Sequence, residues 1–241
     1  MSDSRGRKRR KNNEAESAAA VEASRKLAEV QKKIAADAQD TLNVKLPAFI
    51  LELDDLMTEF EANVADALPK VPTIEELAAS KVSEEDPKKV EPEMVEEDAT
   101  FNRFLQKAVG MVRQGTELIG LIKTWIQLNI PRIEDGNNFG VAVQEECASE
   151  LSRLESVCFA IIETSSEQLG QRAKLAHKMT KHNLIHDYHE SVMQNDTFQR
   201  ASVRMTLLRM RNGFMMVHDL LTKNQDRILK PRQSDVNAFI Y

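Results

Sequence analysis

Apolar residues recur along this chain in steps of three and four, the spacing that gathers side chains on one face of an α-helix. Leu27, Val30, Ile34, Ala38 and Thr41 open the pattern, and Phe49, Leu53, Leu56, Phe60 and Val64 resume it beyond Pro47. A proline inside a helix lacks the amide donor and crowds the carbonyl four residues back, so a kink or restart is expected at Pro47. Asn13 and Glu16 have the spacing of a capping box, which sets the first helical segment at 14–67. A second helix, from about Phe101 to Arg132, carries Ala108, Met111, Gly115, Leu118, Ile122 and Trp125. A third, from about Ala142 to Lys181, carries Leu151, Leu154, Cys158, Ile161 and Leu169. The fourth, from about Asp187 to Leu229, is the most regular, with Val203, Leu207, Met210, Phe214, Val217 and Leu221 in strict alternation of four and three.

Alternation of this kind is the seam of a helix bundle. The pattern therefore predicts an all-α protein, an elongated four-helix bundle whose first helix is 14–67 and whose other three fall within 101–229. At 1.5 Å per residue the helices are roughly 45 to 65 Å long, so the bundle is a rod, and rods expose side surface that favours lateral packing. Gly110, Gly115 and Gly120 each weaken the second helix by about 1 kcal/mol relative to alanine. They imply either strong tertiary packing or close backbone approach.

Between the first two helices the character changes. The segment 68–100 holds Pro69, Pro72, Pro87 and Pro92, and from Glu84 to Asp98 eight acidic residues face only Lys88 and Lys89. Such composition predicts a long, acidic, flexible linker. At the other extreme, Arg5 to Lys11 packs six cations into seven positions with nothing apolar to bury, which predicts a disordered basic tail over 1–13. Arg7, Lys8, Arg9, Arg10 and Lys11 are candidates for a nuclear-import signal; a solvated arm and a nucleic-acid contact are the alternatives.

Composition agrees with helices. Among 241 residues there are only 8 Gly, 7 Pro and 5% aromatics, with 41% hydrophobic content to fill a core. The net charge of -5 is far from the strongly basic surface of a dedicated nucleic-acid binder. No run of roughly 20 apolar residues marks a membrane span, and no secretory signal is visible, so a soluble intracellular chain is expected. Cys147 and Cys158 stand about 16 Å apart along one helix and cannot bridge within it; two reduced, packed thiols fit a cytosolic or nuclear address.

Chemistry is sparse. Gly136 to Gly140 is followed by Val141 rather than Lys and Ser or Thr, so no phosphate-binding loop is present. His182, His186 and His189 have helical ligand spacing but straddle a turn, where surface or capping histidines are the simpler reading than a metal site. No serine elbow, no Cys/His constellation and no carboxylate–histidine seam appears, so neither a catalytic residue nor a cofactor is assigned. Met205, Met210, Met215 and Met216 suit ordinary core better than an adaptable groove. Two features remain. The connection after Pro131 is rich in Asn and Gly around Phe139, and reads either as a functional loop or as a plain turn. The chain after Pro231 is polar, then abruptly apolar through Phe239, Ile240 and Tyr241, which suits either a docking peptide or a tail folded on its own bundle.

The run Trp125-Ile126-Gln127-Leu128-Asn129-Ile130-Pro131-Arg132-Ile133-Glu134-Asp135-Gly136-Asn137-Asn138-Phe139-Gly140-Val141 resembles the signature of the 11S proteasome activator (REG) family. Arg172-Ala173-Lys174, Asp187-Tyr188, Leu220 to Asn224, Lys230-Pro231-Arg232 and Tyr241 add to the resemblance, which extends over roughly 45–241. It implies four-helix subunits in a heptamer ring with an axial channel, a homo-oligomer seated on the α-subunit ring of the 20S proteasome core and working without ATP. By the same resemblance, Gly136, Asn137, Asn138, Phe139, Gly140, Val141, Ala142 and Val143 form an activation loop within 134–143. Asn137 is its leading residue, and Phe239, Ile240 and Tyr241 of the segment 230–241 dock between α subunits. With its basic tail, acidic insert and terminal tyrosine the chain is most similar to the nuclear, gamma-type member, which implies a nuclear address with the cytoplasm as the further one. His182-Asn183-Leu184-Ile185-His186 departs from the Tyr-Pro-His turn of the family.

Overall fold

In the computed structural model the described residues are 3–63, 99–136, 138–182 and 185–232, with the side chains of 3–18 and of Thr164 excepted. All their regular elements are helices: α1 (Asp3–Asp40), a π-helical turn (Thr41–Lys45), α2 (Leu46–Asn63), α3 (Ala99–Asn129), α4 (Phe139–Lys181), α5 (His186–Lys223) and the single turn α6 (Gln225–Leu229). The acidic linker falls almost wholly in 64–98, outside the described residues.

The break expected at Pro47 takes the form of the π turn. The Leu46 amide donates to the carbonyl of Thr41, five residues back. That widening moves the backbone away from the proline ring, which would otherwise press on the carbonyl of Asn43, so the chain passes Pro47 without a sharp corner. Contacts between elements give an antiparallel up-and-down order. Glu59 and Phe60 of α2 meet Lys107 and Phe104 of α3, and Asp54 and Glu61 of α2 meet Arg211 and Arg204 of α5. Lys123 of α3 pairs with Glu155 of α4, and Arg172 of α4 with Asp196 of α5. The pairs on α2 are largely exposed and contribute at most about 1 kcal/mol each, so they record the register more than they hold it.

Burial does most of the holding. Leu42, Leu46, Phe49, Leu53, Val112, Ile119, Ile122, Trp125, Ile126, Leu151, Cys158, Met210, Phe214 and Leu221 form one continuous core, and Leu56, Phe60, Phe101, Phe104, Ala108 and Leu207 a second, smaller one. Each large side chain removed from water contributes about 1.5 to 3 kcal/mol. Of the three glycines on the second predicted helix, only Gly115 sits at a crowded approach: a Cβ there would lie 2.6 Å from Phe214 and 2.9 Å from Phe49, whose rings pack edge to face at 4.8 Å. Gly110 has nothing within 4 Å.

Three expectations are corrected. Leu27 and Val30 belong to the apolar stripe yet are 64% and 54% exposed, because α1 joins the core only from Ile34 onward and every residue from 19 to 33 is exposed. Periodicity marks an amphipathic face but not the presence of a partner for it. The basic run Arg5 to Lys11, expected in a disordered tail, lies within α1; arginine and lysine are good helix formers, and only Gly6 interrupts a run continuous with the alanine-rich stretch that follows. Met205, Met215 and Met216 are exposed, and Met210 alone of that group is core.

Where α4 and α5 run on past Phe101 they form a two-helix hairpin with polar stitching. Arg172 holds Asp196 through a fork, Nε–Oδ1 2.8 Å and Nη2–Oδ2 3.0 Å, and Gln199 Nε2 donates to the carbonyl of Gln168 at 3.3 Å. Arg200 lies over the Phe101 ring at 5.1 Å. The fork fixes the pairing of the two helices where apolar contacts thin out.

The glycine contrast makes a direct test of this packing. Gly115→Ala is expected to cost roughly 1 to 3 kcal/mol by forcing Phe214 and Phe49 apart, despite alanine's better helix propensity. Gly110→Ala is expected to gain up to about 1 kcal/mol. Urea unfolding of the two variants should move in opposite directions.

Candidate functional site

The end of the bundle where α3 hands over to α4 is built by chain-stiffening and chain-loosening residues in turn. Asn129 closes α3 because Ile130 precedes Pro131, a position that disfavours helical geometry. The connection then runs over 130–138 and turns at Gly136, whose φ of +133° suits glycine alone. Asn138 stands before α4 without capping it by its side chain, and the ladder begins as the Ala142 amide donates to the carbonyl of Asn138 at 3.0 Å. The predicted loop over 134–143 is thus corrected. Gly136 and Asn138 lie in it, while Phe139, Gly140, Val141, Ala142 and Val143 form the first turns of α4, since nothing after Asn138 stops a helix from starting. Asn137 is outside the described residues.

The chain comes back to this spot at its other end. After α5 closes at Lys223, Asn224 turns the chain and anchors itself through Nδ2 to the carbonyl of Leu220 at 2.8 Å. The turn α6 buries Ile228 completely and delivers Pro231 onto Gly140. A Cβ on residue 140 would lie 2.6 Å from the Pro231 Cα and 2.7 Å from its carbonyl carbon, besides striking the carbonyl oxygen, so only glycine allows this approach. Arg232 then reaches across the connection. Its Nη1 meets Glu134 Oε2 at 2.6 Å, and its Nη2 donates to the Arg132 carbonyl at 2.7 Å and to Asn138 Oδ1 at 3.3 Å. Nearby, the guanidinium of Arg227 lies 5.6 Å from the centre of the exposed Phe139 ring.

Beneath these contacts sits Gln144. It is fully buried, and its Nε2 donates both to the Asn129 carbonyl at 3.1 Å and to the Ile228 carbonyl at 2.8 Å. One side-chain amide thereby ties the end of α3, the start of α4 and α6 together. Sequence reasoning gave Gln144 and Arg227 no role, and took Arg232 only as part of the Lys230-Pro231-Arg232 match and of the segment 230–241. For Gln144 a signal was there to read: it occupies the seam position that Cys147, Leu151, Leu154 and Cys158 continue, where a polar side chain must find partners. The segment with Phe239, Ile240 and Tyr241 lies outside the described residues, as do the side chains of Arg7, Lys8, Arg9, Arg10 and Lys11.

Other candidates are placed as follows. Cys147 and Cys158 are buried, and both thiols are pushed up to about 11. Burial is the main cause in each; Glu146 adds to it for Cys147, while for Cys158 a bond to Thr116 works against it and Glu155 with it. A nucleophilic cysteine requires the opposite shift. His182 stacks on Tyr188 with ring centres 5.6 Å apart. Among the described residues no three His, Cys, Asp or Glu side chains are grouped to hold a metal ion, and no helix is long and apolar enough to cross a membrane.

Replacing Gln144 by leucine leaves the buried Ile228 carbonyl and the partly buried Asn129 carbonyl without their donor and is expected to cost about 2 kcal/mol, read from denaturant midpoints. For the cysteines, at pH 8 the raised pKa lowers the thiolate fraction roughly a hundredfold, so alkylation of the native protein should be slower by about that factor than of the unfolded chain. The sign for stability follows. Between the ordinary thiol value of 9.0 and about 11 the folded form keeps protons that the unfolded form releases. Stability should therefore fall as pH rises through that window, and a Cys147→Ser, Cys158→Ser double variant should lose that part of the slope.

Residues 94–238 match the family profile described as "Proteasome activator PA28, C-terminal". Among curated relatives, the proteasome activator complex subunit 3 of Gallus gallus is 30% identical over 235 residues, 86% of this chain and 92% of the relative. The human protein of the same name is 36% identical over 135 residues, a match covering 56% of this chain and 53% of the relative. Among solved structures, the 11S subunit PA28 of Plasmodium falciparum superposes with a TM-score of 0.68 at 31% identity, covering 87% of this chain and 94% of that one. PA26 in a complex with an archaebacterial 20S proteasome shares the fold at 13% identity and a TM-score of 0.61, over 89% of this chain and 99% of the matched one. With this match over more than half its length and a relative of 30% identity along most of it, the chain belongs to the proteasome activator PA28 family.

Proposed function

We propose that this chain is the subunit of a homo-oligomeric ring, a heptamer, that seats on the α-subunit ring of the 20S proteasome and opens its gate for peptides without consuming ATP. The observation that carries this reading is the meeting, at one end of the bundle, of the connection 130–138 with the segment 224–232 that leads into the C-terminal tail. A docking element and a gate-acting element must face the same partner, and the meeting of the residues that lead into the tail with the connection supports this. Membership of the proteasome activator PA28 family supports the same partner.

In this scheme Phe239, Ile240 and Tyr241 bind between neighbouring α subunits, each tail weakly, and the ring converts several weak contacts into firm attachment through effective concentration. The residues of 134–143, with Asn137 foremost, make the contacts that favour the open gate over the closed one, which is what shifts the equilibrium. Lateral assembly has surface to use: Phe159, Phe198, Met205, Met215 and Met216 are exposed on the helices, where a neighbouring rod would cover them. The chain itself carries no catalytic step in this reading, and the peptidase does the chemistry. Likeness to relatives named subunit 3 and the basic run Arg7 to Lys11 support a nuclear address.

Purified protein mixed with 20S core is expected to raise hydrolysis of short fluorogenic peptides in the absence of ATP. Removing Phe239 to Tyr241 should weaken docking by at least about a hundredfold, because every copy in the ring loses its anchor at once. Intact protein that leaves the core's peptidase rate unchanged would overturn the reading.

A further inference from the structure

We infer that Arg232 is a positioning residue that holds the gate-acting loop in one shape, so that attachment and activation are separable at this one side chain. The inference rests on the proposed function, which supplies the two events; the hold on the loop comes from the geometry.

Arg232 touches the connection at three places: the carbonyl of Arg132 at 2.7 Å, Glu134 at 2.6 Å and, at its end, Asn138 at 3.3 Å. A planar guanidinium that bonds residues 132, 134 and 138 fixes the span and the curvature of that stretch together. The residue before it cannot drift. Proline holds its own φ, and Gly140 receives the Pro231 backbone with no space left for a Cβ. Arg232 is therefore aimed at the loop by a backbone that is itself registered on α4.

The contact is not a strong source of stability. The Arg232 and Glu134 side chains are 27% and 66% exposed, and exposed ion pairs contribute little. Its arrangement instead selects one loop shape among many, and a weak bond is sufficient for that. Nothing in the fold of the bundle needs Arg232, whereas Gln144 and Ile228 beneath it anchor α6 independently. Loss of Arg232 should thus free the loop while leaving the bundle, and the tail's own binding residues, in place.

Two measurements test this on the full-length protein. In the free protein, tryptic cleavage after Arg132 should speed up roughly threefold or more in Arg232→Ala, with hydrogen exchange in the cores of α3 and α5 and the melting temperature unchanged. With 20S core, Arg232→Ala should lower the saturating rate of peptide hydrolysis by roughly fivefold or more while the apparent dissociation constant moves less than about threefold. Arg232→Lys keeps the charge without the fork and should fall between wild type and alanine. If cleavage after Arg132 is unaltered, or if affinity and saturating rate fall in proportion, Arg232 does not position the loop for activation. A wild-type protein that neither docks nor stimulates removes the functional reading, yet the cleavage result still decides whether Arg232 holds the loop.

Discussion

The contact between Pro231 and Gly140 is the tightest constraint at the end of the bundle where α3 hands over to α4. It sets the residues after α6 against the first turn of α4. Gln144 bonds the carbonyls of Asn129 and Ile228 across the same junction. Arg232 can span 132–138 only because the preceding proline aims it there. Gly136, at the turn of the connection, allows the loop to bend back within reach. The bundle brings the two chain segments to the same end; a glycine and a proline bring them into contact.

That division of labour explains how function sits on the fold. Long antiparallel helices with a continuous apolar core make a rod that holds the two chain segments at one end in fixed relation. The opposite end is built otherwise, as a two-helix hairpin joined by the Arg172–Asp196 fork and by Gln199 to Gln168, where polar contacts substitute for a core that has thinned to two elements. Charged stitching there sets which residues face one another, while the loop end uses backbone shape.

The sequence carried the architecture well, since four amphipathic periods translate directly into four packed rods. On α5 the alternation named Val203, Leu207, Met210, Phe214, Val217 and Leu221; Val203 is partly buried and the other five are buried. It was less informative where periodicity continues without a partner, as at Leu27 and Val30, or where the seam turns by one position, as on α3, where Val112 and Ile119 are buried and the predicted Met111 and Leu118 are only partly so. The candidate loop was marked by its composition and by family resemblance, but its internal wiring was not legible. Arg232 and Glu134 are separated by 98 residues and no local pattern marks them as neighbours. The loop was drawn too long because asparagine and glycine suggest a turn, whereas Gly140 serves a close approach inside a helix.

The account stands on the loop-and-tail end facing the peptidase core. An electron cryomicroscopy map of the ring bound to 20S core tests this most directly. The account predicts density that places 130–138 and the segment after Arg232 against the α-subunit ring, with Arg232 still on the Arg132 carbonyl and Glu134 in each copy. A map with the hairpin around His182 and His186 toward the core, or with the 130–138 connection facing solvent, would contradict it.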